Sequence, residues 1–184
     1  MGVPKRVVLV LAEGFEEVEA VTPIDLLRRA GVEVTVAGLN GTVIKSARDL
    51  LISAEVTFDK VSDNFDALIL PGGGVGAKNL AASEKLKALI QEMNKKGKGV
   101  YAICASPVLV VSPTGILKGK SATCYKGMEE GFNPETKYVN QKVVIDGNIL
   151  TSQGPGTSID FALAIIEQLC GKETAQKIKS DILY

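Results

Sequence analysis

Short apolar runs alternate with amphipathic stretches along the whole chain, the rhythm of buried strands separated by helices. Residues 7–11 are a continuous apolar run and read as a buried strand. Residues 16–30 follow with a helical period, and Gly31 stands where a helix C′ residue belongs. Pro23 falls inside that helix, where it removes a donor and bends the axis. Thr22-Pro23-x-Asp25 also fits a fresh N-cap with proline at N1; we take the run as one kinked helix.

The alternation continues with a second strand over residues 32–37 and irregular strand-like pieces over 48–58. Residues 67–70 are a buried strand running into Pro71-Gly72-Gly73-Gly74. Residues 83–96 form a helix with Ser83 as N-cap and Gly97 closing it. Residues 100–103 are another buried strand, followed by Cys104 and a short helix from about Ser106. Residues 121–125 read as a strand, and 142–151 as a hairpin whose Asp146-Gly147 marks the turn. Gly154-Pro155-Gly156-Thr157 leads into a helix ending near Cys170-Gly171, and a short helix closes the chain. Strands separated by helices predict an α/β fold with a mostly parallel sheet covered on both faces. With no internal repeat, low-complexity tract or linker, residues 1–184 form a single domain.

Composition narrows the function. The 184 residues are 46% hydrophobic and 23% charged, and 21 basic residues balance 21 acidic ones. Such a balance gives no pull toward nucleic acid or an anionic membrane. The lysines at 95, 96 and 98 read as a solvated helix end. No run is apolar and long enough to span a bilayer, and the N-terminus passes straight into a strand with no signal-peptide pattern. The three cysteines, Cys104, Cys124 and Cys170, are odd in number, far apart and without metal-ligand spacing, which fits a reducing, cytoplasmic compartment. There is no histidine, which excludes every His-based triad and most catalytic zinc sites. No metal and no cofactor is expected.

Cys104 is the candidate nucleophile. An apolar strand, one nucleophile-capable residue with small neighbours, and a helix start together describe a sharp elbow at the carboxyl end of a sheet. The helix N-terminus after it favours thiolate over thiol, so an acidic Cys104, near pH 5.5, is expected. A packed core cysteine is the alternative. Glu13, Glu16 and Glu17 read as solvent-facing residues of a helix N-terminal turn. Glu19 is set apart if the first strand lies beside the Cys104 strand, for its carboxyl could then reach the sulfur and donate a hydrogen bond when protonated.

Gly72, Gly74 and Ala77 have the G-x-G-x-x-A spacing of a dinucleotide fingerprint, but the acidic residue expected about 20 positions on is missing, since Glu92 falls within a helix. The other functional reading is a loop whose bare amides approach an oxyanion, which needs glycine equally; a purely structural turn is the third. Cys124, at the end of a predicted strand, is either a neighbour of the same crevice or an ordinary buried residue. Cys170 reads as core.

Glu16-Glu17-x-Glu19, Arg28-Arg29-Ala30-Gly31, Val34-Thr35-Val36-Ala37-Gly38, Leu70-Pro71-Gly72-Gly73, Ala102-Ile103-Cys104-Ala105 and Thr151-Ser152-Gln153-Gly154-Pro155-Gly156-Thr157 resemble the ThiJ/PfpI superfamily. Within it they look like the branch of the Parkinson-disease protein deglycase. The resemblance runs from about Lys5 to the end of the last long helix. It implies a flavodoxin-like sandwich, similar to class I glutamine amidotransferases, in a homodimer packed through the first helix. It also implies Cys104 as nucleophile, Glu19 as its acid/base, and the backbone amides of Gly73 and Ala105 as the oxyanion site. The implied activity is cofactor-independent conversion of small 2-oxoaldehydes such as methylglyoxal to hydroxy acids (glyoxalase III), with deglycation as a related attribution. The competing implication is a non-enzymatic stress sensor or redox chaperone whose Cys104 is oxidised to sulfinate. Two departures matter. Where many relatives carry a histidine near the cysteine this chain has Cys124, which argues against proteolysis. Ser53 stands where some relatives have a further cysteine.

Overall fold

Strand β1 (Arg6–Leu11) is apolar from Val7 to Leu11 because it is covered on both faces and paired along both edges. It runs parallel to β2 (Glu33–Gly38), with Val7 opposite Val34, and on its other edge to the later strand Ala67–Leu70, with Val7 opposite Ala67. The computed structural model describes residues 4–62 and 64–184, so the expected lead into the first strand lies, for Met1, Gly2 and Val3, outside the described residues.

The other strands, in chain order, are β3 (Val43–Lys45), β4 (Leu51–Ser53), β5 (Val56–Thr57), β6 (Ala67–Leu70), β7 (Gly99–Ile103), β8 (Ser121–Ala122), β9 (Lys137–Tyr138), β10 (Val143–Asp146) and β11 (Ile149–Ser152). The main sheet has the order β10-β11-β7-β6-β1-β2-β5, and among the described residues only its β10–β11 pair is antiparallel. The helices are α1 (Glu17–Arg29), α2 (Gly74–Ala81), α3 (Glu84–Lys95), α4 (Ser158–Cys170) and α5 (Lys172–Asp181). Helix α1 packs on α4 and α4 on α5, while α2 packs on α3. This is a flavodoxin-like α/β sandwich. No helix among the described residues is long and apolar enough to cross a membrane.

Helix α1 is a single helix with Pro23 inside it, and Gly31, at φ +78°, closes it by donating to Arg28 O at 3.0 Å. Ser83 caps α3 as expected, its Oγ accepting from Leu86 N at 3.2 Å. Helix α2 is absent from the sequence expectation because its glycines carry poor helix propensity. It forms through burial of Ala77 and Leu80 and the bond from Ala77 N to Gly73 O at 2.8 Å. Of residues 121–125, expected as a strand, only Ser121–Ala122 pairs, and with β9 rather than the main sheet. The extension fails because Tyr125 N donates instead to Cys104 O, at 2.8 Å. In the hairpin, Asp146 pairs with Ile149, so the turn residues are Gly147 and Asn148.

The topology decides where a site can form. From β1 the chain steps to β2 on one side, then returns across β1 to β6 on the other. Order reverses between β1 and β6, and at such a point the loops at the strands' carboxyl ends diverge and leave a crevice. The start of α1, the loop after β6 and the turn after β7 all open on it.

Candidate active site

Cys104 follows the last residue of β7 and has φ +66°, a left-handed conformation that costs a non-glycine residue about 1–3 kcal/mol. Its backbone is tied at both ends, N–H to Ser152 O at 3.0 Å and C=O to Tyr125 N, so neighbouring strand and loop hold the elbow in place. The residue is 8% exposed.

Glu19, in the first turn of α1, is fully buried. Its Oε2 accepts from Gly72 N at 2.8 Å, and its carboxyl hydrogen-bonds the Cys104 side chain. Its Oε1 is buried with no hydrogen-bond partner among the described residues. The loop after β6 must carry glycine to allow this. A Cβ on Gly72 would stand 2.6 Å from both Cys104 Cβ and Glu19 Oε2, and Gly73, at φ +90°, would drive one to 2.3 Å from Gly14 O. The backbone N–H groups of Gly73 and Ala105 hydrogen-bond the Cys104 sulfur. Glu19 and Gly73, distant in sequence, thus meet the adjacent Cys104 and Ala105 around one sulfur atom.

Burial disfavours any negative charge here. It pushes the Glu19 carboxyl up to about 7, against the lowering effect of Cys104 and the Gly72 amide and with a small push from Glu16. Burial and the Glu19 charge together push the Cys104 thiol up to about 12, while the Gly73 and Ala105 amides pull it down. The two groups therefore titrate as a pair, whose first proton leaves near pH 7 and whose second leaves only in strong base. The anion left in between is shared, as thiol with carboxylate or as thiolate with carboxylic acid. An acidic thiol near pH 5.5 is thus corrected: helix-end and amide stabilisation is outweighed by desolvation. Alkylation of Cys104, followed by mass spectrometry, is expected to rise with a midpoint near pH 7, with Cys124 and Cys170 slower at every pH. A midpoint below 6, or earlier labelling of either other cysteine, contradicts this electrostatic account.

One further expectation changes. Glu17 is buried rather than solvent-facing: its Oε1 accepts from Ser46 Oγ and from Arg48 N at 2.7 Å, holding the turn that carries Arg48, which lies 3.8 Å from Glu16. Cys124 adjoins the elbow through the Tyr125 peptide, but its thiol is fully buried and is pushed up to about 12 by desolvation and by Glu129. Cys170 is half-buried against the core.

Sequence reasoning missed three contributors. Ser106 is fully buried and donates from Oγ to Pro71 O at 2.6 Å. Tyr125 is 49% exposed, with its ring near Gly154. Beside it lies a groove of about 600 Å³, lined among others by Tyr125, Lys126, Glu129, Asn140 and Gln153. A Cβ on Gly154 would be 3.2 Å from the Tyr125 ring and 4.0 Å from Glu19 Oε1, so the groove and the buried carboxyl share this wall. A hydroxyl beside the nucleophile was a visible signal for Ser106; nothing local marks the groove, which is assembled from three distant loops.

Residues 5–168 match the model of the DJ-1/PfpI family, and the chain belongs to that family. It is 41% identical over 182 residues to protein dj-1beta of Drosophila melanogaster, covering 97% of each chain. The crystal structure of that Drosophila protein superposes with a TM-score of 0.95 over 98% of both chains, at 40% identity. Protein DJ-1 homolog B of Arabidopsis thaliana is 40% identical over 180 residues, 97% of this chain, which spans 41% of that longer relative. Deglycase PfpI of Pyrococcus furiosus is 34% identical over 153 residues, 82% of this chain and 91% of the relative.

Proposed function

We propose that this protein converts 2-oxoaldehydes such as methylglyoxal and glyoxal to 2-hydroxy acids without a cofactor, a glyoxalase III/deglycase type of reaction. The observation that carries the reading is the buried Glu19 carboxyl on the sulfur of Cys104, raised to about 7 and so able to take and give a proton near neutral pH. Sγ of Cys104 adds to the aldehyde carbon, its proton passing to Glu19, and the alkoxide forms beside the amides of Gly73 and Ala105. Protonation of that oxygen gives a hemithioacetal. Glu19 then removes the hydrogen on C1 as a proton and the enediol is reprotonated at C2. C1 is thereby oxidised and C2 reduced within one molecule, so no external oxidant is needed. Water hydrolyses the resulting thioester to the hydroxy acid and frees the thiol. Lactate formed from methylglyoxal in the absence of glutathione tests the reading.

Early glycation adducts are the larger substrates of the same chemistry, the activity named in the Pyrococcus relative, and the groove beside Gly154 has room for their amino-acid part. A second reading is favoured by the same donors. The Gly73 and Ala105 amides and a protonated Glu19 would hold the oxygens of a Cys104 sulfinate, as a peroxide sensor requires. Three unpaired cysteines suit a reducing, cytoplasmic setting.

We also propose a homodimer through α1. Arg29 pairs with Asp25 at 2.9 Å and Arg28 with Glu55 within the chain, and these half-exposed charges on α1 remain open to cross-subunit partners as well. The exposed apolar residues Val18 and Val21 on α1, with Leu50 and with Leu51 of β4, supply its apolar part. Light scattering at micromolar concentration is expected to give a dimer, and Val21→Asp to give a monomer. A wild-type monomer removes the idea.

A further inference from the structure

The Cys104–Glu19 pair leans on a loop whose peptides are each held from both sides. In the Pro71–Gly72 peptide, the carbonyl accepts from Ser106 Oγ at 2.6 Å and the N–H donates to Glu19 Oε2 at 2.8 Å. In the next, Gly72 O accepts from Glu16 N at 3.1 Å and Gly73 N–H reaches the Cys104 sulfur. Ser106 precedes the π-helical turn Pro107–Val111, where a hydroxyl would ordinarily cap the new helix, yet it makes no cap bond. It reaches back 35 residues to the Pro71 carbonyl instead.

A hydrogen bond accepted by a carbonyl polarises its peptide and strengthens the donor at the other end. Ser106 O–H, the Pro71–Gly72 peptide and Glu19 therefore form one polarised line. We propose that Ser106 is a positioning residue that, through this peptide, sets how tightly Glu19 holds its proton. The proposal rests on the reading of Cys104 and Glu19 as the reacting pair, and it adds a group that touches neither of them.

The direction follows from the charge states. The Gly72 N–H favours the carboxylate, so weakening that donor makes Glu19 harder to ionise. The titratable groups facing Glu19 are Cys104 from the elbow and Glu16 from the start of α1, with Arg48 acting on Glu16; Tyr125 stands beyond Gly154. None of them contacts Ser106 in the hydrogen bonds described. Loss of the hydroxyl would also leave the Pro71 carbonyl without its buried partner, so a stability loss alone would not distinguish a relay from a strut.

The test is a titration of the Glu19 carboxyl by carbon-13 NMR in the wild type, Ser106→Ala and Ser106→Thr, with melting temperatures in parallel. Alanine is expected to raise the Glu19 midpoint by at least about half a pH unit, and threonine, which keeps the hydroxyl, to restore it. If alanine does not fold, Ser106→Cys, a weak donor of similar size, should shift the midpoint in the same direction. A lowered melting temperature with an unmoved midpoint would show a strut only and overturn the proposal, as would a shift that threonine fails to restore. The titration needs no turnover. A protein that makes no lactate still reports on Ser106, while normal lactate formation with an unmoved midpoint sinks the Ser106 role alone.

Discussion

Glu19→Gln is expected to slow lactate formation from methylglyoxal at least about 100-fold, the lower range for losing a general acid/base. Glutamine keeps the shape and can still accept from the Gly72 N–H, but it cannot carry a proton between C1 and C2. Addition of the thiol would continue slowly, so a covalent adduct should accumulate on Cys104 and be visible by mass. The same substitution should stabilise the fold in alkali. Below about pH 4.5 the carboxyl is neutral in both folded and unfolded chains. Between there and about pH 7 the folded state retains a proton the unfolded chain has lost, so wild-type stability falls as pH rises through this window. The loss amounts to about 3 kcal/mol once the folded carboxyl is ionised. Glutamine is exempt from it, and at pH 8 the variant should melt roughly 5–10 °C above the wild type, the difference shrinking toward pH 4.5. Activity lost while stability is gained separates a chemical role for Glu19 from a structural one; an active Gln variant, or one less stable at pH 8, removes that role.

Cys104→Ser is expected to abolish turnover altogether. Serine tolerates the elbow no worse than cysteine, but its hydroxyl is hardly nucleophilic without a strong base, and the chain has no histidine to supply one. A carboxyl near pH 7 cannot deprotonate an alcohol to a useful degree. By contrast, Cys124→Ser should cost less than about tenfold, since the Cys124 thiol is buried beside Glu129 and only its main chain adjoins the elbow. Turnover retained in Cys104→Ser, measured as product, would place the chemistry elsewhere.

The layout of this fold is legible in the sequence where burial acts on long stretches. The apolar runs that become β1, β6 and β7 are buried on both faces, and such runs can hardly be anything else. Turn and cap residues such as Gly31, Ser83 and Gly147 are equally local in their effect. Helix α2 and the short β8 are different, because long-range contacts override their propensities: a glycine-poor stretch would not fit against Gly14, and Cys104 O takes the donor that β8 would have used. The same distinction divides the candidate site. Cys104 and Glu19 stand out as residue types in suggestive settings. That the Gly72 amide selects one carboxyl oxygen, that Ser106 grips the peptide behind it, and that burial lifts the Glu19 carboxyl toward neutral pH are consequences of packing among three distant segments. The helix end alone favours an acidic thiol, and that expectation fails because the desolvation of a nearly buried sulfur is invisible in a linear pattern.

The most direct test of the account counts product. Purified, metal-free protein is given excess methylglyoxal with no glutathione or other thiol, and lactate is measured itself, because disappearance of the aldehyde alone could reflect thiol adduction. The Cys104–Glu19 mechanism predicts lactate far beyond one equivalent per subunit, at a rate that climbs through pH 7 as the pair loses its first proton. Lactate that never exceeds one equivalent per subunit would contradict it and leave Cys104 as a sensor rather than a catalyst.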